Sequence, residues 1–510
     1  MKFFKKILKF LLSRMVIFGL LIAVQFFVLA GAIYKLSSNF VYVYIFFTVL
    51  SYVVVLWIMS KKDNPSYKLG WILPVLIFPI FGGFFYLIFG TNRMNKKFII
   101  SLKDIQKQLF QSYSKDTVNH DEILYMNKNV HRQLDYIMET SKCPVHKNTQ
   151  TKYIPIGEDM LEYLLEELEK AEKFIFLEFF IIEEGIMWNS VLEILEKKVK
   201  QGVDVRVIYD DIGSLQTLPY KYYKILEQKG IKTAVFNPFV PRLSIQMNNR
   251  DHRKIVVIDG NVGFTGGINL ADEYINAKLR FGHWKDCGIM IKGEGVWNLT
   301  LLFLEHWTYY KGYDKDINIF RPTRSFESDG YVLPFGDCPH DEDNVTENAY
   351  MQIINNATEY VYINTPYLII DNEMITALEL AAKSGIDVKI VTPHIPDKWY
   401  VHLVTQGFYR QLLEAGVKIY EYTPGFIHSK TFVSDDNIGI IGTCNMDFRS
   451  FYLHFEDGIW LYKSKALLEL KEDFLDTLKK CKEITIEDCK KDGLFKRFMR
   501  VILKTFAPLM

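Results

Sequence analysis

A chain of 510 residues is too long for one hydrophobic core, so at least two packed domains are expected, with room for an appendage. Its 61 Lys and Arg nearly cancel its 60 Asp and Glu, which excludes the global basic excess of a dedicated nucleic-acid binder; an anionic partner has to be met locally. Six cysteines scattered from Cys143 to Cys489, with no close C-x-x-C pair, exclude a small disulfide scaffold and a Cys-rich zinc or redox site, and read as free thiols.

The apolar excess sits mainly before residue 90. Residues 15–32 are apolar apart from Gln25, and residues 40–59 are apolar throughout. Each run suits a hydrocarbon core of ~30 Å, so two transmembrane helices are expected. A cleaved signal peptide is the competing reading, because Ala30-Gly31-Ala32 resembles a processing site; the first run is long for that, and a second follows at once. Lys2, Lys5, Lys6, Lys9 and Arg14 precede the first run, Lys61, Lys62 and Lys68 follow the second, and only Lys35 lies between, which puts both ends in the cytoplasm. Residues 71–89 contain Pro74, Pro79, Gly82 and Gly83 between positive flanks, predicting a broken, re-entrant or interfacial segment. A third span is the alternative and would place the rest of the chain outside. Residues 1–95 are thus expected to form a helical region of a multi-pass cell-membrane protein whose remaining mass faces the cytoplasm.

Residues 96–152 read as a polar connector. The pattern then alternates between helix and strand periods, first over 153–325 and again over 326–485, which predicts two α/β domains. Met160, Leu161, Leu164, Leu165 and Leu168 mark one helix face before the strand-like residues 174–182, and a helix at 350–356 leads likewise into 360–364. Gly202-Val203-Asp204-Val205-Arg206-Val207 matches Gly385-Ile386-Asp387-Val388-Lys389-Ile390. The halves read as copies.

The duplication carries chemistry. Asp251-His252-Arg253-Lys254 runs on to Asp259, Gly266-Gly267 and Asn269; His428-Ser429-Lys430 runs on to Asp435, Gly442-Thr443 and Asn445. His, Lys, Asp, Gly and Asn recur at identical offsets. On a strand, His and Lys two residues apart share a face, which sets imidazole beside ammonium. Cleaving a phosphodiester needs charge neutralisation, a nucleophile and a proton for the departing oxygen, and two such pairs meeting at a pseudo-twofold interface supply all three.

The double H-x-K-x(4)-D pattern with its trailing Gly and Asn resembles the signature of the phospholipase D superfamily. The two apolar runs, the Pro- and Gly-broken stretch 71–90 and the run Gly442-Thr443-Cys444-Asn445-Met446-Asp447-Phe448-Arg449-Ser450-Phe451 extend the likeness over nearly the whole chain to the bacterial cardiolipin synthases. The resemblance implies an α/β fold of two similar phospholipase D-like α/β/α domains related by a pseudo-twofold axis, preceded by the N-terminal helical membrane region. It implies a phosphatidyltransferase that converts two phosphatidylglycerol molecules into cardiolipin and glycerol through a phosphohistidine, with no cofactor and no metal. Its partners would be phosphatidylglycerol and cardiolipin in the bilayer and no nucleic acid; no oligomeric state is implied. Carried to this sequence, His252 is expected as nucleophile and His428 as the acid that protonates the leaving glycerol. Lys254 and Lys430, with Asn269 and Asn445, would hold the non-bridging phosphate oxygens. Glu456 and Asp286 are the carboxylates expected to orient the histidines. The aspartates of the catalytic motifs, Asp259 and Asp435, would pin the turn after each strand. Glu178 and Tyr367 are expected to line the pocket, with a structural role as the alternative.

Zinc ligation by the His-x-Lys pairs is disfavoured, since a lysine opposes a cation and no Cys-rich or His-x(3)-His spacing accompanies them. His283, His306, His402 and His454 do not recur between the halves and read as packed or surface histidines. Two other enzymes would share the fold: a phospholipase D that hydrolyses lipid to phosphatidic acid, and a nuclease, which the membrane region and near-neutral charge oppose. In 486–510, Phe495, Phe498, Met499, Ile502 and Phe506 fall on one helical face with Lys496, Arg497, Arg500 and Lys504 largely elsewhere. This predicts a basic amphipathic C-terminal helix at an anionic lipid surface, with packing on a domain as the alternative.

Overall fold

The α/β alternation builds the same sheet twice. The computed structural model describes residues 41–78, 96–110, 117–239, 248–340 and 343–509, with single positions between 23 and 35 and between 82 and 86. In the first half the strands are β1 (Thr149–Ile154), β2 (Phe174–Phe179), β3 (Asp204–Asp210), β4 (Lys232–Phe236), β5 (Lys254–Ile258), β6 (Val262–Gly266), β7 (His283–Lys285) and β8 (Gly288–Gly293). Seven of them form one sheet in the order β1-β8-β6-β5-β2-β3-β4. In the second half they are β9 (Tyr331–Asp337), β10 (Tyr360–Asn364), β11 (Leu368–Ile369), β12 (Asp387–Pro393), β13 (Lys418–Tyr422), β14 (Gly425–Ile427), β15 (Thr431–Ser434), β16 (Ile438–Gly442), β17 (Met446–Asp447), β18 (Glu456–Tyr462) and β19 (Cys481–Ile484). Read from its other end, the eight-stranded sheet runs β9-β18-β16-β15-β10-β12-β13-β19, the same path with one strand added at the edge. Each half therefore has a parallel trio, β2-β3-β4 or β10-β12-β13, flanked by an antiparallel strand that follows a motif histidine. Strand β1 starts at Thr149, ahead of residue 153, and its start pairs with the end of β8 (Thr149 opposite Gly293).

Strands β2, β5 and β6 are buried along their whole length, as strands covered on both faces must be. Helices Gly157–Glu169 and Ile186–Lys200 cover one face of the first sheet. Helix Val296–Lys311, buried on every side from Val296 to Thr308, covers the other and also packs against β9 of the second sheet. It is the wedge between the domains.

Both motif aspartates lie in the turn after their strand, with φ of 51° at Asp259 and 53° at Asp435. The Asp259 carboxylate accepts the backbone N–H groups of Glu172, Lys173 and Phe174 at 2.8, 2.7 and 2.9 Å. Asp435 takes those of Thr358, Glu359 and Tyr360 at 2.7 to 3.0 Å. Each thus ties the strand after the histidine to the start of its neighbouring parallel strand.

The stretch 96–152 is not a connector. It holds helices Lys96–Phe110, Thr117–Met126 and Lys128–Ser141, and Phe98, Leu102, Ile105 and Leu109 are buried at helical spacing. The first packs on the central wedge, where Gln106 Nε2 donates to Glu305 at 2.7 Å; the third packs on helix Val345–Asn356. The strong polar face hid a narrow apolar stripe.

Among the described residues no helix is long and apolar enough to cross a membrane. Most of 15–32 lies outside the described residues; 40–59 corresponds to helix Val41–Ser60. That helix packs against Pro65–Ile77, which contains Pro74 and ends where the broken segment was expected, and Tyr86 returns to fill the hairpin between Trp57 and Trp71. Asn64 caps the second helix and donates to Asp371 and to the Tyr452 hydroxyl at 2.8 and 2.9 Å, which docks the hairpin on the second domain.

Helix Leu494–Thr505 turns two of its basic residues inward, Arg500 and Lys504 lying over Gly407 of helix Trp399–Glu414 with Lys504 Nζ 4.0 Å from the centre of the Phe408 ring, while Arg497 stays exposed. Its apolar side is left facing out, Leu494, Phe495, Phe498 and Val501 being 62 to 85% exposed.

Removing the Asp259 carboxylate strands three backbone donors at once. Asp259→Ala should therefore cost about 2 kcal/mol, seen as a fall of about 5 °C in the Tm of the detergent-solubilised chain; an unchanged Tm would contradict this anchoring role.

Candidate active site

Each motif histidine sits in the extended link just before its strand, not within the ladder, and that link is bonded across the domain boundary. His252 N–H donates to Phe455 O at 2.8 Å, and Phe455 N–H donates back to Arg250 O at 2.9 Å. In the second half, β14 pairs in parallel with β7, and His428 N–H donates to Lys285 O at 2.7 Å. Each histidine segment is thereby zipped to the segment of the other half that leads to a carboxylate.

The carboxylates are consequently exchanged. His252 Nδ1 bonds Glu456 Oε2 at 2.8 Å, and His428 Nδ1 bonds Asp286 Oδ2 at 2.6 Å. A carboxylate on Nδ1 fixes the proton there and leaves Nε2 with a bare lone pair, the form a nucleophile or base needs. Glu456 Oε2 also accepts from Thr443 Oγ1 at 2.6 Å, and Asp286 Oδ1 accepts the N–H of Cys287 at 2.9 Å.

The four basic side chains are buried and near enough to act on one another. His252, Lys254, His428 and Lys430 are 6, 2, 7 and 1% exposed. Lys254 Nζ donates to the carbonyl of His252 at 2.5 Å, and Lys430 Nζ donates to that of His428. Burial brings both ammonium groups down to about 8. Burial, then the charges of Lys254, Lys430 and His428, hold His252 well below the usual imidazole range. His428 is brought to about 4 by burial and Lys430, against the pull of Asp286. The groups of one half thus act electrostatically on those of the other. Asp286 is held low, its burial being outweighed by Lys430 and His428.

Aromatic rings close the site. Phe180 and His454 lie 5.2 and 5.5 Å from the His252 ring; Trp284, Tyr274 and Phe426 lie 5.3, 5.7 and 5.8 Å from that of His428. Asn269 accepts the N–H of Ile181 at 3.0 Å and donates to the Tyr274 hydroxyl at 2.6 Å, which leaves one amide hydrogen for a ligand. Asn445 is buried with Oδ1 unpartnered. Tyr367 stands one ring further out, against Phe426, with its hydroxyl on Asp397 at 2.7 Å. Glu178 lines no pocket: it is fully buried behind the Asp251-His252 peptide, bonded to His306 Nδ1 at 2.6 Å. Burial and Asp251 push its carboxyl up to about 8. Residues 174–182 form an apolar run broken only by Glu178, the pattern of a strand covered on both faces, as β2 is.

Sequence reading missed Thr443 and Asp457 as well as His454. Asp457 accepts the Lys254 N–H at 3.2 Å and the Thr265 hydroxyl at 2.5 Å, and burial pushes it up to about 7. Its position beside Glu456 on a wholly buried strand was the available signal. Two groups have the spacing of cation ligands, His252 with His454 and Glu456, and Glu178 with Asp251 and His306. The charge of Lys254 opposes a cation at the first and that of Arg253 at the second.

A family profile described as cardiolipin synthase, PLD-like domain matches residues 164–285 and 350–478, and one described as phospholipase D-nuclease N-terminal matches 46–90. The chain is 43% identical over 461 residues to an uncharacterized protein of Streptococcus mutans, covering 89% of this chain and 99% of that one. It is 34% identical to a cardiolipin synthase of Alkalihalophilus pseudofirmus, covering 94% and 93%, and 34% identical to cardiolipin synthase 2 of Bacillus anthracis, covering 91% of each. Among solved structures, phosphatidylserine synthase of Haemophilus influenzae shares the fold with a TM-score of 0.57 at 14% identity, over 74% of this chain and 97% of that one.

The lysines make a pH prediction. An ammonium group with a depressed pKa is charged below that value and neutral above it. With both lysines at about 8, kcat/KM for an anionic phosphodiester should fall as pH rises through about 8. An alkaline limb that appears only near the value of free lysine, about 10.4, would overturn the assignment of buried ammonium groups to substrate binding.

Proposed function

Because the chain belongs to the cardiolipin synthase family of phospholipase D-like proteins, we propose that it is a phosphatidyltransferase that makes cardiolipin and glycerol from two phosphatidylglycerol molecules. The observation that carries this reading is the exchange of carboxylates. It sets a buried imidazole from each half on a carboxylate of the other, with the lysines of both halves near enough to act on each imidazole, which supports one shared site.

In the proposed cycle the phosphodiester lies between Lys254 and Lys430, and Asn445 and the free amide hydrogen of Asn269 add neutral donors. His252 Nε2 attacks phosphorus while the bond to the headgroup glycerol breaks, and His428 gives its Nε2 proton to the departing oxygen. The anionic substrate offsets the lysine charges that hold the imidazoles neutral, so His428 takes up its proton as substrate binds. Lys254 and Lys430 act against a charge on either imidazole, and the acid role is given to His428 because Asp286, bonded to its Nδ1 at 2.6 Å, favours a charge there. The terminal hydroxyl of a second phosphatidylglycerol then attacks phosphorus, the P–N bond breaks, and the hydroxyl proton returns to His428. Cardiolipin leaves and His252 is restored. The rings of Phe180, Trp284, Tyr274 and Phe426 keep water from the intermediate, as transfer requires.

The same reading covers placement. The hairpin 41–86 and the apolar run 15–32 are proposed to anchor the protein in the cell membrane, with the two domains on the cytoplasmic side. The C-terminal helix is proposed to lie on that surface. A helix that packs Arg500 and Lys504 on its own domain and presents Leu494, Phe495, Phe498 and Val501 outward is suited to lipid. The turn Ala507–Leu509 behind it packs on helix Pro65–Ile77, so the exposed face is continuous with the hairpin.

Purified protein given phosphatidylglycerol should yield cardiolipin and glycerol; phosphatidic acid without cardiolipin would mean a hydrolase. His252→Ala and His428→Ala should each lower turnover by at least about a thousandfold, and a trapped phosphoenzyme should form in His428→Ala alone. Wild-type turnover in either variant defeats the paired-histidine mechanism. For the C-terminal helix, the double variant Phe495→Asp, Phe498→Asp should lose about tenfold in activity on phosphatidylglycerol liposomes and little in detergent micelles. Equal activity on liposomes would remove the helix from the lipid contact.

A further inference from the structure

The two orienting carboxylates are not held alike. Both oxygens of Asp286 are taken, one by His428 Nδ1 and one by the Cys287 N–H. Glu456 Oε2 serves His252 and Thr443, but its Oε1, equally buried, has no hydrogen-bond partner. At 3.7 Å from it lies Nδ1 of His454, and both nitrogens of that ring are likewise buried without a partner.

The pseudo-twofold axis relates His454 to Trp284. Each stands two residues before its carboxylate, and each ring packs on the histidine that the carboxylate orients, at 5.5 and 5.3 Å. The indole nitrogen of Trp284 also lacks a partner, yet the carboxylate beside it has no oxygen to spare. Only in the His454 half do an unmade donor and an unmade acceptor face each other across a gap that a small turn of the ring would close. An unmade hydrogen bond inside a protein is costly enough to favour that turn.

We infer that His454 is a positioning residue of this site: its Nδ1–H closes on Glu456 Oε1, so that one carboxylate serves two imidazoles and His252 meets a partner whose charge is already partly drawn away. A carboxylate with less free charge holds a proton on His252 less tightly and so keeps Nε2 available. The other charged or titratable groups facing His252 are Lys254, Lys430, His428 and Asp251, and those facing His454 are Arg449 and His252. Burial first, with Arg449, holds His454 at about 3, so it enters as a neutral donor. The catalytic consequence rests on the phosphoryl-transfer reading above; the hydrogen bond does not.

The test uses the full chain in detergent micelles with isotopically labelled histidines, followed by NMR and assigned with His252→Ala and His428→Ala. In His454→Phe the titration midpoint of His252 should rise by about one pH unit while that of His428 stays in place. In His454→Asn, whose amide can reach the same oxygen, His252 should stay near the wild-type value. The Nδ1 proton resonance of His252, read at a single pH, should move downfield in His454→Phe as its bond to Glu456 strengthens. It gives the same comparison if the midpoint lies below the range of the folded protein. Should His454→Phe fail to fold, His454→Leu takes its place. An unmoved His252, an equal shift in His454→Asn, or an equal shift of His428 each overturns the inference. None of these readings requires turnover, so a product other than cardiolipin would leave the result standing.

Discussion

Everything in the site depends on each histidine taking its carboxylate from the opposite half. Four basic side chains in a space closed to water would be untenable by themselves, since burial of a charge is repaid only by a close partner with good geometry. Glu456 and Asp286 supply that partner across the boundary, and the strand-like zippers at Phe455 and Lys285 fix the distance. Neither half holds a finished site. The interface is therefore as much a part of the chemistry as the side chains are, and the energy of domain docking is spent on holding imidazole and ammonium where an anion is wanted.

Around that centre the fold removes freedom in layers. The motif aspartates tie the strand after each histidine to its parallel neighbour. Behind His252, Arg253 is fully buried, with one guanidinium nitrogen on Glu305 and on the carbonyl of Leu302, both in the central wedge, at 3.2 Å each. Asp251, Glu178 and His306 complete a closed polar cluster beneath the same peptide. One atom of each member, Glu178 Oε2, Asp251 Oδ2 and His306 Nε2, is buried without a hydrogen-bond partner, so residues 251–253 are held chiefly by Arg253 on the wedge and by the Glu178–His306 bond. The corresponding place on β10 holds Asn364, which donates to Thr431 at 3.0 Å, a neutral substitute. The duplication has been kept at the reacting groups and allowed to drift behind them.

The double motif, the duplication and the two sheets were legible in the sequence because fixed offsets between His, Lys, Asp and Asn survive any variation around them. Both orienting carboxylates were legible as residue types at a familiar distance. Their exchange was not, because pairing between halves leaves no trace in the order of residues along either one. The helices within 96–152 were hidden by a polar face that outweighs an apolar stripe of one residue in three or four. Glu178 was open to a pocket or a structural role, because a lone carboxylate in an apolar strand does not say what it bonds, and here it is buried on His306. His454 was set aside for lacking a counterpart, yet the absence of a matching histidine is what makes the two halves unequal. The C-terminal helix had the expected two faces, but which one would meet the domain could not be read from its period.

The turn Ala507–Leu509 rests on helix Pro65–Ile77, so segments separated by both α/β domains along the chain complete one packing surface. A contact of such long sequence separation carries a loop-closure cost that the two intervening domains lower by folding first. The hairpin therefore keeps an unfinished flank until late in folding, and its docking reports that both domains have assembled.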